Sequence, residues 1–381
     1  MSHTLKNGNA VVRAACAIFF ILFCFLYLYN YQDGVMAVTQ HVLSKGATHY
    51  NRLVGAVLIT LVLWLLQLAI YGFARLERMA HALTYLPSML LLGILTDITP
   101  HADTEPYLGN WLWAFPLIMV GYAFVVWVCR QLETLDNGPA PGMVGKTCWV
   151  NLLAMGVMAL MTCGIGCSDE VFHYRMRVEG DIAAGRYDDA LAVGANEEKT
   201  DSSLTMLRIW ALSEKHLLGE RLFEYPLVGR SDAMLPNGTS VKVLMAPEVR
   251  IYKLLGVYYR QRLRPREYFE KIHDKWWATV ESNDWLLCAY LLDGDLDAFA
   301  HNITRYYKLD NRLPKHYREA LILYTHLREH PYLVYHDSVM DADFEDFQDL
   351  GRKYSNRVER NSMLRDTYGK TYWMYYYSQR K

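Results

Sequence analysis

The sequence predicts an all-α protein with two parts, a polytopic transmembrane helical domain and a soluble helical domain. Long apolar blocks alternate with short polar loops in the first part. After residue 167 no apolar run is long enough to cross a bilayer, and charged residues, Tyr and Trp become frequent. We therefore place the transmembrane domain at residues 1–167 and the soluble domain at residues 168–381.

The first part contains five apolar runs that are candidates for membrane-spanning helices. Each is close to the ~20 residues that a helix needs to cross the hydrocarbon core. Pro87 lies inside the third run, where a membrane helix can tolerate it. The predicted spans are residues 14–29, 53–73, 80–96, 111–129 and 148–167.

The first run is predicted to be a retained helix and not a signal peptide. It ends in Tyr27, Tyr29 and Tyr31, an interfacial belt, and no small-residue cleavage site follows. The next loop, residues 32–52, contains Val35, Met36, Val38, Val42 and Leu43. This pattern fits a short amphipathic helix on the membrane surface and an ordinary connecting loop equally well.

Basic residues in the short loops predict the orientation. One side of the membrane would carry the N-terminus and the loops after the second and fourth runs, each with two basic residues. The opposite side has Lys45 and Arg52 but none in residues 97–110, which are acidic. The bias predicts a cytoplasmic N-terminus and, after five spans, an extracytoplasmic soluble domain. The basic residues on the predicted cytoplasmic side are Lys6, Arg13, Arg75, Arg78, Arg130 and Lys146.

Composition and motifs disfavour several functional classes. A net charge of −1 gives no general attraction to nucleic acid. The spans contain almost no ionisable residues, which disfavours a transporter. Residues 140–147 (APGMVGKT) match a loose phosphate-loop pattern, but membrane spans flank them, so we interpret them as a turn. Only Cys288 lies in the soluble part, which excludes a disulfide framework there. We predict no cofactor and no bound metal.

The soluble part shows a recurrent pattern of helix, glycine turn and helix. Residues 185–191 (GRYDDAL) and 294–299 (GDLDAF) are typical of the turns in tetratricopeptide-type hairpins. Because the period drifts, we predict a degenerate helical-repeat array. Residues 223–247, rich in Pro and Gly, interrupt it as a functional loop or a simple crossover. Further predicted helices are 207–218 ending at Gly219, 252–259 with Gly256 inside it, 316–328, 343–353 and 362–378.

Two stretches carry a resemblance to a family. They are residues 40–56 (QHVLSKGATHYNRLVGA), at the second span, and residues 220–236, with their Phe-Glu-Tyr-Pro and Leu-Pro elements. On these the chain resembles an uncharacterised bacterial family of multi-span membrane proteins with a tetratricopeptide-like C-terminal half. The resemblance implies a multi-pass protein of the bacterial inner membrane, and it brings no activity or catalytic residues.

Three features are weighed as possible binding sites. His326 and His330 have the four-residue spacing that places a zinc pair on one helical face, although a surface or packing pair fits as well. The acidic run 341–349 is interpreted as the start of a helix and not as a calcium loop, because it contains no Gly. The 28 Tyr and 10 Trp could line a binding face or fill the core.

Two functional hypotheses follow. The first is a membrane-anchored scaffold whose extracytoplasmic repeats bind a protein or a glycan-assembly partner. The alternative is an enzyme, or an enzyme subunit, acting on lipid-linked sugars or envelope polymers where the external loops meet the soluble domain. Catalytic residues are unknown in either case. Residues that could contribute to the alternative are His49, Arg52, Asp97, Asp103, Glu105 and Glu170.

Overall fold

The computed structural model describes residues 2–100, 107–133, 145–258, 263–310 and 312–379. Within these ranges all of the regular secondary structure is helical, and there is no strand. Five helical segments are long and apolar enough to cross a membrane, which confirms a membrane protein with five candidate spans. The structure divides into two compact units, Met1–His173 and Tyr174–Lys381.

The first unit contains the apolar segments. The sequence placed every one of them to within a few residues, because only long uninterrupted apolar runs satisfy the bilayer. Its helices are α1 (Ser2–Leu26), α2 (Asp33–Ser44), α3 (Arg52–Ala74), α4 (Leu86–Thr96), α5 (Trp111–Glu133) and α6 (Lys146–Ile165).

Two departures from regular α-helix occur in this unit. The first span ends in a π-helical turn at Tyr27–Tyr31, and the polar loop after it folds into α2, so the helical interpretation of that loop is confirmed. The third span begins as a 3₁₀-helix, Arg78–Tyr85, and continues as α4. Pro87 lies inside this span, as the sequence predicts, and it falls at the start of α4, where its missing N–H costs no hydrogen bond.

Several polar side chains buried in the first unit are uncharged and bond to backbone groups. The side chain of Asn151 accepts from Ala82 N at 2.7 Å and donates to Arg78 O and Thr147 O at 2.7 and 2.8 Å. Ser88 donates to Leu63 O at 3.0 Å. These bonds join segments distant in sequence without placing a charge among apolar side chains.

The second unit consists of shorter helices. Helix α7 (Glu170–Ala183) begins in the first unit and continues into the second. The helices that follow are α8 (Tyr187–Ala192), α9 (Ser202–Glu214), α10 (Leu218–Arg221), α11 (Glu248–Leu255), α12 (Pro265–Asp274), α13 (Val280–Asp293), α14 (Leu296–Tyr306), α15 (Lys315–Leu327), α16 (Ser338–Lys353), α17 (Arg357–Tyr368) and α18 (Tyr372–Gln379).

Both predicted glycine turns are present. Gly185 separates α7 from α8 and Gly294 separates α13 from α14, each with a positive φ that favours glycine. The side chain of Asp295 then caps α14 by accepting from Ala298 N at 3.0 Å. Most of the large aromatic residues fill the core, and Trp210, Trp285 and Trp373 are fully buried.

Three other glycines have roles that differ from the prediction. Helix α9 ends at Glu214, so Gly219 does not terminate it; Gly219 lies in α10, where a Cβ would be 2.6 Å from the Tyr317 ring. Gly256 ends α11 with φ +126° and does not lie inside a helix. The predicted helix 362–378 is two helices, because the chain turns at Gly369 and the Thr371 hydroxyl accepts from Met374 N to start α18.

The irregular segment at residues 223–247 is packed into the second unit. Two 3₁₀ turns, Leu222–Glu224 and Arg230–Ala233, punctuate it, and Met234 is fully buried. One carboxylate oxygen of the fully buried Glu179 accepts from three successive backbone amides, those of Leu244, Met245 and Ala246. The segment is therefore held in place by α7.

Candidate anion-binding cleft

Helices α16, α17 and α18 enclose a cleft of about 700 Å³. Asn356 begins α17, accepting from Val358 N at 3.0 Å, and Asp337 caps α16 by accepting from Val339 N and Met340 N. The lining residues are Phe347, Gln348, Gly351, Arg352, Arg357, Arg360, Asn361, Leu364, Arg365, Met374, Tyr377 and Ser378.

One face of α17 supplies the positive charge. Arg357, Arg360 and Arg365 lie at helical spacing with Asn361 and Leu364, so all five side chains line the same side of the cleft. Since the N-terminal end of a helix carries a partial positive charge, the position of Arg357 in the first turn adds to the potential. Among the residues that the structure describes, no Asp or Glu lines this cleft.

Two of the four arginine side chains in the cleft bond to carboxylates, and two do not. Arg352 donates to Asp349 at 3.1 Å, and Arg365 donates to Glu198 at 3.1 Å. The side chains of Arg357 and Arg360 form no hydrogen bond or ion pair with any residue that the structure describes. Two guanidinium groups are therefore available for an anionic ligand.

The floor of the cleft is apolar and aromatic. Phe347 and Leu364 are buried, and Tyr377 is partly exposed with its ring centroid 5.6 Å from that of Phe347. A second cleft of about 460 Å³ shares Arg365 and Met374 with the first, but it also contains Glu197, Glu198 and Glu224. The potential thus changes from positive to mixed along the surface.

A buried cluster nearby in sequence is structural. One oxygen of Asp284 accepts from Tyr307 Oη at 2.7 Å and Tyr317 Oη at 2.8 Å, and the Cys288 thiol lies 3.6 Å from Tyr317 Oη. Burial raises the pKa of Asp284 and of both hydroxyls. Burial also raises the pKa of Cys288, so the thiol keeps its proton and is not a nucleophile at neutral pH.

A second buried network connects distant segments. His316 lies 2.9 Å from a Glu319 oxygen through Nδ1, and Phe223 N donates to its Nε2 at 3.3 Å. The same Glu319 oxygen accepts from Tyr372 N at 2.7 Å. Since Nε2 accepts, Nδ1 carries the proton that it donates to Glu319. Both side chains are almost completely buried, so we interpret the network as one that stabilises the packing of these segments and not as a catalytic dyad.

The two histidines weighed as a metal pair do not share a helical face. Helix α15 ends at Leu327, so His330 lies beyond it, and the predicted i, i+4 geometry is wrong. The His326 ring lies 5.0 Å from the Phe344 ring and its Nε2 is 3.8 Å from Asp341. The acidic run lies within α16, as a helix with Phe344 and Phe347 on the buried side, but the helix begins earlier, at Ser338, and only Asp341 falls in its first turn.

Two of the residues considered for the enzyme alternative, Arg52 and Asp97, bond to different parts of the first unit. Arg52 donates to Tyr29 O at 2.5 Å and pairs with Asp33 at 3.6 Å. Asp97 accepts from Trp111 Nε1 at 2.6 Å. Asp103 and Glu105 lie outside the described residues, as does most of the phosphate-loop-like stretch at 140–147, of which Gly145 precedes α6.

The fold and the cleft define a helical membrane protein with an arginine-lined groove in its second unit. A model of a family of unknown function, DUF6057, matches residues 281–379. That stretch runs from α13 to α18 and includes every residue that lines the arginine cleft. No curated protein and no solved structure shows significant similarity to the chain.

The sequence analysis did not identify the arginine cleft. Its signal is the spacing of Arg357, Arg360 and Arg365 around Leu364, which places three cations beside an apolar residue on one helical face. The sequence contains no comparable signal that Phe347 and Tyr377 join them, because α16 and α18 meet α17 only through tertiary packing.

Proposed function

We propose that the chain is a membrane-anchored interaction protein whose second unit binds an acidic segment of a protein partner in the arginine cleft. The observation that carries the proposal is the pair of unengaged guanidinium groups, Arg357 and Arg360, beside an apolar floor. Arginine and aromatic side chains dominate the binding energy of protein interfaces, which supports a protein ligand.

The spread of the charges favours a peptide over a single small anion. Arg357 and Arg365 are eight positions apart on α17, which corresponds to roughly 12 Å along the helix axis. A single phosphate held by Arg357 and Arg360 would leave Arg365 with Glu198, whereas carboxylates spaced along a peptide could also compete with Glu198 for Arg365. Phe347, Leu364 and Tyr377 would receive apolar side chains between those carboxylates.

The surrounding architecture supports a scaffold. Hairpins such as α13–α14, with Gly294 at the turn, are of the kind found in tetratricopeptide-like repeats, which serve as binding surfaces. The distribution of basic residues supports a cytoplasmic N-terminus and an extracytoplasmic second unit in a bacterial inner membrane. On this proposal the five spans hold the cleft at the cell envelope.

The test is site-specific photo-crosslinking of the full chain in native membranes. A photoreactive amino acid replaces Asn361, which lines the cleft, or Val358, which is 78% exposed on the same helix and does not line it. We expect a discrete protein adduct from position 361 only. We also expect its loss in an Arg357→Glu/Arg360→Glu background, because charge reversal repels an acidic segment.

A matched control separates the site from general charge. Arg305→Glu/Lys308→Glu makes the same change in net charge at exposed positions that do not line the cleft, and the adduct should persist. Adducts of equal yield at positions 358 and 361, or adducts only with lipid or glycan, would contradict a protein partner in the cleft.

A further inference from the structure

An exposed apolar patch in the second unit is separate from the arginine cleft. It comprises Tyr258, Trp276, Trp277 and Val280, of which Trp276 is 94% exposed and Val280 79%. Water-exposed indole is unfavourable, and the other large aromatic residues of this unit are mostly in the core. We therefore expect the patch to contact another molecule.

Trp276 also occupies a backbone position that favours glycine. Trp277 N donates to Ile272 O at 2.9 Å and Trp276 N donates to His273 O at 3.1 Å, the two bonds of a Schellman motif after α12. Trp276 has φ +60°, in the left-handed region where a bulky side chain is strained. Neither conformation nor solvation explains a tryptophan here.

The neighbouring segments hold the patch together. Thr279 N donates to Leu255 O at 3.2 Å, and the Thr279 hydroxyl donates to Leu254 O at 2.5 Å. A Cβ on Gly256 would be 2.1 Å from Trp277 O, so only glycine permits this close approach. The chain after α11, which carries Tyr258, is thereby fixed beside the chain that carries Trp277.

Charged residues of both signs flank the patch. Lys275 Nζ lies 4.8 Å from the centroid of the Trp277 ring, and Arg264, at the start of α12, is exposed. The acidic neighbours are Asp274, which is exposed, and Glu281, which is partly exposed. Indole rings beside Lys or Arg are the combination that proteins place at the boundary between headgroups and acyl chains.

We infer that this patch, centred on Trp276, is a membrane-interface site that inserts into the headgroup region of the bilayer holding the chain. Four side chains are too few for a stable protein interface, which buries about 1,200 Å² or more. They are sufficient for an interfacial anchor, because the candidate spans keep the second unit tethered to a membrane at high effective concentration. This inference does not depend on the proposed partner of the arginine cleft.

The test uses the full chain in lipid nanodiscs that contain phosphatidylcholine and phosphatidylglycerol, with or without brominated acyl chains. The emission of Trp276 is obtained as the difference between the wild type and Trp276→Phe. We expect it to be blue-shifted relative to the protein in urea and at least two-fold quenched by brominated lipid. Trp149, 65% exposed on α6, is the reference for a residue expected to contact lipid.

A reporter elsewhere on the second unit provides the contrast. Tyr332 is 64% exposed, and Tyr332→Trp in the Trp276→Phe background should emit as a water-exposed indole that brominated lipid does not quench. If Trp276 emits like this reporter and is unquenched in every lipid mixture, the patch does not contact the bilayer and the inference is wrong.

Trp276→Gly distinguishes membrane contact from a structural role. Because glycine fits φ +60°, we expect this variant to keep or raise the thermal unfolding midpoint in detergent. In the wild type, we expect the nanodisc to slow hydrogen exchange of the 276–280 segment relative to detergent. In Trp276→Gly this slowing should be smaller. A large fall of the midpoint would mean that Trp276 packs within the fold, and it would overturn the inference.

Discussion

The two units of the molecule bury polar groups in different ways. In the first unit the buried polar side chains are uncharged amides, hydroxyls and one imidazole, and some of them, such as Asn151 and Ser88, bond to backbone atoms. In the second unit charged side chains are buried as well, and Glu319 and Arg208 are at most 2% exposed. A charge near mid-membrane is costly, so helices in lipid use amides and hydroxyls. The second unit contains none of the candidate spans, and there charged side chains join segments.

Arg208 illustrates the second strategy. Its Nη2 donates to Gly194 O at 2.9 Å, and its guanidinium lies 5.2 Å from the centroid of the Tyr225 ring. Burial lowers the pKa of this arginine, as expected for a cation without a carboxylate bonded to it. In these examples the charge of Arg208 joins α9 to a loop and that of Glu319 joins α15 to the start of α18, while the amide of Asn151 joins α6 to the 3₁₀-helix Arg78–Tyr85.

The largest effect is expected from removing a charge in the second unit. Glu319→Ala leaves His316 Nδ1 and Tyr372 N without their acceptor, both in a fully buried site. We expect a loss of ~3–6 kcal/mol in the free energy of unfolding, measured by denaturant titration, because two buried donors each lose a bond to a charged acceptor that contributes ~1.5–3 kcal/mol. Glu319→Gln retains an acceptor oxygen and should lose clearly less; an equal loss would contradict this account.

The next effect tests the neutral strategy of the first unit. Asn151→Leu leaves Ala82 N and Arg78 O unpaired among apolar side chains, and we expect a loss of ~2–3 kcal/mol. Gln67→Leu is the matched control, because its described bond is to the Thr84 side chain, and it should cost only about 0.6 kcal/mol. Unfolding in nanodiscs measures both, and similar losses would remove the distinction between backbone and side-chain partners.

A smaller effect concerns close packing in the second unit. Gly219→Ala places a Cβ 2.6 Å from the ring of the buried Tyr317, and we expect a loss of ~1–3 kcal/mol by overpacking. Gly180→Ala in α7 meets nothing nearer than Met245 Cε at 3.9 Å and should gain up to ~1 kcal/mol through helix propensity. Thermal unfolding of both variants checks the opposite signs.

The smallest expected effect is a pH dependence. Because burial raises the pKa of Asp284, the folded state binds more protons than the unfolded state above pH ~4. Ionisation of Asp284 therefore lowers stability as pH rises through that window. Asp284→Asn keeps an acceptor for Tyr307 and Tyr317, so its stability relative to the wild type should improve from pH 4 to pH 7.

Asp297 provides a control of opposite sign. The hydrogen bond from Arg328 lowers the pKa of Asp297, so its contribution to stability is present above pH ~4 and is lost as the pH falls. Asp297→Asn should consequently become less stable relative to the wild type from pH 4 to pH 7. Denaturant titrations at both pH values check the two trends, and parallel trends would contradict the assigned directions.

The sequence predicted the first unit better than the second. Five spans could be located because each must satisfy one local condition, a long apolar run. The breaks at Tyr27–Tyr31 and Arg78–Tyr85 depend on tertiary contacts and were missed. In the second unit Gly185 and Gly294 were predicted from local turn chemistry, whereas the place of Gly219 depends on the ring of Tyr317, almost a hundred positions away.

The candidate cleft follows the same division. The row of arginines on α17 is a local pattern and could have been recognised from helical spacing alone. The cleft itself requires Phe347 and Tyr377 from other helices, which no periodicity joins. The ion pair of Arg365 could not be predicted from local sequence either, because its partner, Glu198, is distant in sequence from α17.

The position of α18 has a consequence for synthesis of the chain. Tyr372 donates to Leu291 O at 3.1 Å, Trp373 donates to Glu319 O at 2.8 Å and Tyr375 donates to Leu292 O at 2.8 Å. These residues leave the ribosome after all the helices that they pack against. Until then α13 and α15 lack part of their apolar cover, so the nascent second unit is open to chaperones and proteases up to its last helix.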